Sequence, residues 1–235
     1  MYYLERKEVV ATQRTIFHGS EQIIKKPHFH GGNPHNDYGY GFYCTESEAL
    51  AMEWAVTREH DGYSNAYRIC TDELRVLELN KDCSLMNWMA ILLKNRTFNL
   101  DSALSRSAFR YILDNFLIDL EPYDILTGYR ADDSYFSFAQ DFLNNTISYE
   151  QLGWAMRLGY LGDQFVIRSK AAFSRLEFLH ATPALREKWL PGKELRDQAA
   201  RNMYLHSDRM GFHHGELYII EMLDKEMKND DPRLR

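Results

Sequence analysis

Two short stretches carry residues suited to holding a flat ring that bears an amide. Thr15-Ile16-Phe17-His18-Gly19-Ser20 ends an apolar run on a histidine and a glycine, and Gly39-Tyr40-Gly41-Phe42-Tyr43-Cys44-Thr45 sets aromatics behind two glycines. A glycine where a strand stops lets a ligand lie against its backbone N–H and C=O, because no Cβ intervenes, and a carboxamide pairs with both. Successive strand side chains point to opposite faces, so with Phe42 in the core Tyr43 faces a cleft. Trp54, eleven residues beyond Tyr43, offers a rigid indole face for stacking. Taken singly, a His-Gly pair is a turn and a helical Trp is core; the ordered set points to a ring clamp.

The elements that must position these residues follow from capping and periodicity. Thr45-Glu46-Ser47-Glu48 fits a capping box with Thr45 as N-cap, opening a helix through about Thr57 with Ala49, Met52, Ala55 and Val56 as its apolar stripe. Ser148-Tyr149-Glu150-Gln151 is a second box, opening a helix that buries Leu152, Ala155 and Met156. Tyr67 to Cys70, Val76 to Leu79, Asp124 to Thr127 and Gln164 to Ile167 read as strands. The class is therefore α+β. Residues 1–185 are expected to form one domain with a mostly helical insertion over about 84–155, and residues 186–235 a helical extension packed on it. Pro191 and Gly192 are expected to break that tail from the mixed part. Its Leu195, Ala199, Met203 and Leu205, set against Lys193, Arg196 and Arg201, suit docking on the domain or on a partner, outside the chemistry.

Composition bounds the partners. A formal charge of −6 over 235 residues supplies no long-range attraction to phosphate backbones or anionic membranes. Three cysteines at wide spacing, Cys44, Cys70 and Cys83, argue against a disulfide framework and a C-x-x-C metal site. The N-terminus turns charged within five residues and the apolar runs are short, so no signal peptide or membrane span is expected and the location is cytoplasmic. His28, His30 and His35 with Asp37 lie in a Gly/Pro/Asn loop without ligand spacing, which reads as solvated loop and not as metal site. Lys25, Lys26, Arg68 and Arg96 are scattered cations of the solvated kind, open to phosphate contact.

The motifs together resemble the ADP-ribosyltransferases of the diphtheria-toxin and poly(ADP-ribose) polymerase type. Tyr38-Gly39-Tyr40-Gly41-Phe42-Tyr43 is similar to that family's Phe-Gly-x-Gly-x-Tyr strand, and the step from Tyr43 to Trp54 equals its spacing between two stacking aromatics. Asp37-Tyr38-Gly39, Glu53-Trp54-Ala55, Gly128-Tyr129-Arg130-Ala131-Asp132-Asp133 and Asp163-Gln164-Phe165 look like a bacterial subfamily met as toxins of toxin–antitoxin pairs. The resemblance implies a split β-sandwich around an NAD cleft, with NAD as co-substrate and no metal. It also implies transfer to a macromolecular acceptor (protein, RNA or DNA), a cognate antitoxin and a role in toxin–antitoxin or phage-defence systems.

It assigns His18 to the adenosine ribose, the Gly19 backbone to the nicotinamide carboxamide with Ser20 beside it, and Tyr43 and Trp54 to the nicotinamide ring. Two departures stand out: Ala51 replaces a serine, and Gln164 stands where the family has its catalytic glutamate. An amide orients a ribose hydroxyl without neutralising the positive charge that develops on the sugar. That charge falls to Gln164 alone, to Asp163, or to Asp132 and Asp133 beside Arg130, a pair that reads equally as a helix N-cap. Adjacent strand residues face opposite ways, so Asp163 and Gln164 cannot both enter one cleft without a bulge, and Gln164 inward is the expected arrangement.

Overall fold

The computed structural model describes residues 12–131, 133–158, 162–207 and 211–234, without the side chains of residues 133 and 134. Its β-structure forms two sheets. One has the antiparallel order β1–β3–β7, from Gln13–Ser20 (β1), Gly62–Cys70 (β3) and Leu176–Ala184 (β7). The other has the order β2–β6–β5–β4, from Phe42–Cys44 (β2), Asp163–Ile167 (β6), Ile125–Tyr129 (β5) and Val76–Glu78 (β4), with β4 and β5 parallel. A single bridge ties the sheets together: Phe17 and Thr45 exchange both backbone hydrogen bonds, at 2.8 and 2.9 Å. The chain is thus of mixed α+β architecture.

Between these strands run α1 (Glu48–Ala55), α2 (Leu79–Asp82), α3 (Leu85–Asn95), α4 (Ala103–Phe116), α5 (Asp133–Leu143), α6 (Tyr149–Ala155) and α7 (Lys170–Ser174). Two more follow, α8 (Arg186–His206) and α9 (Ile219–Asp224). The main core lies between the four-stranded sheet and α3 to α6, around Trp88, Phe116, Phe138 and Phe142. A smaller one, around Ile16, Phe42, Tyr67 and Phe165, fills the space between the sheets. The mostly helical stretch over 84–155 also holds β5, at the strand expected over Asp124 to Thr127, and the sheet takes it into its interior.

Local signals decide most boundaries. Ser148 caps α6 as expected, with Gln151 closing the box and Leu152 and Ala155 buried. The first box is displaced: Ser47, not Thr45, accepts from the Leu50 N–H and opens α1. Thr45 is committed to the bridge with Phe17, so its backbone is a strand end and the helix starts after it. The expected break at Pro191 and Gly192 is absent, because α8 runs through both. Proline costs that helix its bond to the Glu187 carbonyl. Packing at both ends holds it: Trp189 and Leu190 lie against α1, while Ala200 and Tyr204 join the main core, Tyr204 stacking on Phe138 at 3.9 Å.

The orientation of α8 also departs from expectation. Leu195, Met203 and Leu205 are exposed, at 67, 54 and 68 %. Lys193, Arg196, Asp197 and Ala200, at i, i+3, i+4 and i+7, face inward. The helix turns its charged stripe to the protein.

Candidate functional site

A cleft of about 660 Å³ opens where the two sheets part, walled by β1, β2, β6 and α1 on one side and α8 on the other. His18, Gly19, Tyr43, Trp54, Arg130 and Gln164 all line it, although they span more than half the chain. Because Phe17 bonds outward to Thr45, ladder alternation sends the Gly19 N–H and C=O toward the same edge, which beyond the bridge is the cleft. The reason for a glycine differs from the one expected. A Cβ there would stand 2.1 Å from the Ala51 carbonyl oxygen and 2.8 Å from Ala55 N, so Gly19 is required by the seating of α1 on β1. Gly62 on β3 has the same role, 2.1 Å from the Ala55 carbonyl oxygen.

His18 fixes the mouth of the split. Its Nδ1 lies 2.7 Å from the Tyr43 carbonyl, an acceptor only, so Nδ1 carries the proton and Nε2 of the neutral ring is left as an acceptor. Burial holds the imidazole below its ordinary value of 6.5, against the opposing pull of the Tyr43 carbonyl. Phe42 packs on the ring at 4.4 Å, and Tyr43 turns to the cleft as alternation predicts. The Tyr43 hydroxyl donates to the Gly39 carbonyl at 2.7 Å and accepts from the Tyr38 N–H at 3.0 Å, which pins its ring. Trp54 already carries a flat cation, the Arg130 guanidinium, 4.3 Å from its ring centroid.

Gln164 points inward and is buried, whereas Asp163 turns out and accepts from Asn80 at 2.7 Å. The Gln164 amide is oriented by a carboxylate that sequence reasoning left in a solvated loop, Asp37. Gln164 Nε2 donates to Asp37 Oδ2 at 3.0 Å, and the Ala131 N–H donates to the same oxygen at 2.9 Å. Arg96 Nη1 donates to Oδ1 at 3.1 Å. Asp37 is 5 % exposed. Burial raises its carboxyl above the usual range, opposed by the Ala131 N–H, Arg96, Gln164 and Arg130. With its nitrogen engaged by Asp37, the Gln164 amide is fixed in the cleft wall.

Three polar atoms of cleft-lining residues are buried without a hydrogen-bond partner among the described residues: Trp54 Nε1, Gln164 Oε1 and Arg196 Nη1. Buried polar groups are nearly always paired, so these three stand out in the cleft wall. Ser20 is not among the cleft-lining residues. Ser20 Oγ donates to the Gln22 carbonyl at 2.7 Å, Asp132 falls outside the described residues, and Asp133 is described only as the first residue of α5. Among the described residues no group of acidic, histidine and cysteine side chains is arranged to hold a metal, and no helix is long and apolar enough to cross a membrane.

Together these define a mixed α+β protein with a polar, aromatic-lined cleft between its sheets. The family model described as "Protein of unknown function (DUF3990)" matches residues 14–178, and the chain belongs to that family. No curated protein and no solved structure matches the chain.

Proposed function

We propose that the chain is an NAD-dependent ADP-ribosyltransferase that moves ADP-ribose from NAD to a macromolecule, protein or nucleic acid, and releases nicotinamide. In this reading the two sheets are the halves of an ADP-ribosyltransferase-like split sandwich. The chain acts in the cytoplasm as the toxin of a bacterial toxin–antitoxin or phage-defence system, held in check by a cognate antitoxin. One observation carries the proposal: His18, Gly19, Tyr43, Trp54 and Gln164 line a single cleft, with polar atoms of Trp54 and Gln164 left without hydrogen-bond partners among the described residues.

Each group has a task. The Gly19 backbone pairs with the carboxamide, and Tyr43 and Trp54 take the ring, Trp54 exchanging the flat Arg130 cation for the flat cation of oxidised nicotinamide. His18 Nε2 and Gln164 Oε1 accept from ribose hydroxyls. The bond from the nicotinamide nitrogen to ribose C1′ breaks with its electron pair going to nicotinamide, and the acceptor's lone pair bonds C1′ as its proton leaves to solvent. Asp37 supplies the negative charge that Gln164 lacks, polarising the amide so that Oε1 faces the developing sugar cation. The amide in place of a carboxylate also favours a second reading, a binding module for NAD or ADP-ribose without transfer.

The test is single-turnover transfer from labelled NAD onto separated protein, RNA and DNA fractions. Wild type transfers label to one of them. Gln164→Ala and Asp37→Asn each lose about 100-fold or more while retaining NAD binding. NAD binding with no transfer to any fraction selects the binding module, and absence of both rejects the proposal.

A further inference from the structure

We infer that α8, which lies beyond the region shared with the family, forms the diphosphate-binding half of the cleft, with Arg196 as the principal anion-binding residue and Lys193 beside it. The identity of the ligand as a dinucleotide rests on the proposed function; the anion site stands on α8 itself.

Arg196 is held at one edge only. Its Nη2 bonds Glu53 Oε1 at 2.5 Å, and Glu53 is a buried carboxylate on α1. Nη1 is buried in the cleft wall with no hydrogen-bond partner among the described residues. A guanidinium anchored through one nitrogen keeps further N–H donors, which suit the oxygens of a phosphate. Lys193, one turn earlier on the same face, reaches the Val56 carbonyl at the end of α1, 3.2 Å away. This places its ammonium, with three donors, at the same rim.

The inverted orientation of α8 points the same way. A surface helix normally buries its apolar stripe. Between its packed ends, where Trp189, Ala200 and Tyr204 make the apolar contacts, α8 turns Leu195 to solvent and Lys193, Arg196 and Asp197 to the cleft, which suits a polar ligand. Arg58, Arg96 and Arg130 also line the cleft, so five cations meet the carboxylates of Asp37, Glu53, Glu194 and Asp197 there, in a chain of net charge −6. Its ring-binding end is aromatic, and at its α8 end Lys193 and Arg196 supply the donors that a diphosphate takes.

The experiment is calorimetric binding of NAD, ADP-ribose, ADP and free nicotinamide to wild type, Arg196→Gln, Arg196→Lys and Lys193→Gln, with near-ultraviolet circular dichroism to establish folding. Arg196→Gln weakens the three diphosphates by at least about tenfold, the scale of one charge-assisted hydrogen bond, and leaves nicotinamide unchanged. Lys193→Gln keeps the Glu53 pair intact and weakens the same three ligands by less, and added salt weakens wild type more than either variant. Folded Arg196→Gln and Lys193→Gln chains with wild-type affinity for ADP and ADP-ribose overturn the inference, leaving the transferase reading standing if NAD still binds. Affinity for ADP that depends on Arg196, without NAD binding or transfer, upholds the anion site and rejects the transferase.

Discussion

On one side of the cleft α1 lies so close to β1 and β3 that a methyl group on Gly19 or Gly62 would collide with the Ala51 or Ala55 carbonyl. On the other side α8 meets α1 partly through long charged side chains, Arg196 to Glu53 and Lys193 to the Val56 carbonyl. The first wall is set by backbone against backbone and tolerates almost no added volume. The second is set by flexible polar side chains that bond to the protein and also line the cleft. The first wall therefore fixes the shape of the site, and the second adjusts its charge.

The comparison breaks most directly at Gly19. Its methyl collision is with backbone atoms, which cannot rotate away, so Gly19→Ala should cost about 1–3 kcal/mol, read as a lower urea midpoint with unchanged slope. A wild-type midpoint would mean that α1 yields as easily as α8. Trp54→Ala, which removes a ring face from the first wall but no backbone contact, should weaken NAD binding about tenfold with the fold intact. Equal affinity would remove Trp54 from the ring site.

The smallest effect concerns His18. Its folded-state pKa lies below 6.5, so the unfolded chain takes up the proton first. Stability from this group is complete above about pH 6.5 and is lost as the pH falls toward the lowered folded-state value. His18→Asn, which keeps a donor for the Tyr43 carbonyl, should flatten that part of the melting temperature between pH 7.5 and 5.5. Identical slopes for the two chains would place the acid sensitivity elsewhere.

The same contrast explains what the sequence revealed. Tyr43 and Trp54 were legible as cleft residues because strand alternation and stacking restrict the residue types allowed, and Ser148 because a capping box has fixed spacing, whereas Gly19 was picked out for ligand approach and is required by the close seating of α1. Asp37 was not: it sits in an aperiodic Gly/Pro/Asn loop, and only the fold brings it within 3.0 Å of Gln164. Nor was α8, whose Lys193 and Arg196 are of the types that normally face water, and whose Pro191 reads as a break until packing at both ends overrides it. Thr45 was misread as a cap because its backbone bridge to Phe17 joins distant residues and leaves no local trace.

The pair that ties the walls together joins residues 143 apart in the chain. Synthesis proceeds at about 5–20 residues per second, so Arg196 follows Glu53 out of the ribosome by roughly 7–29 seconds. Through that interval α1 can seat on β1 while the facing wall does not yet exist. The cleft is therefore closed late, and a nascent chain arrested before α8 would carry the wall with Tyr43 and Trp54 open and without Lys193 and Arg196 opposite it.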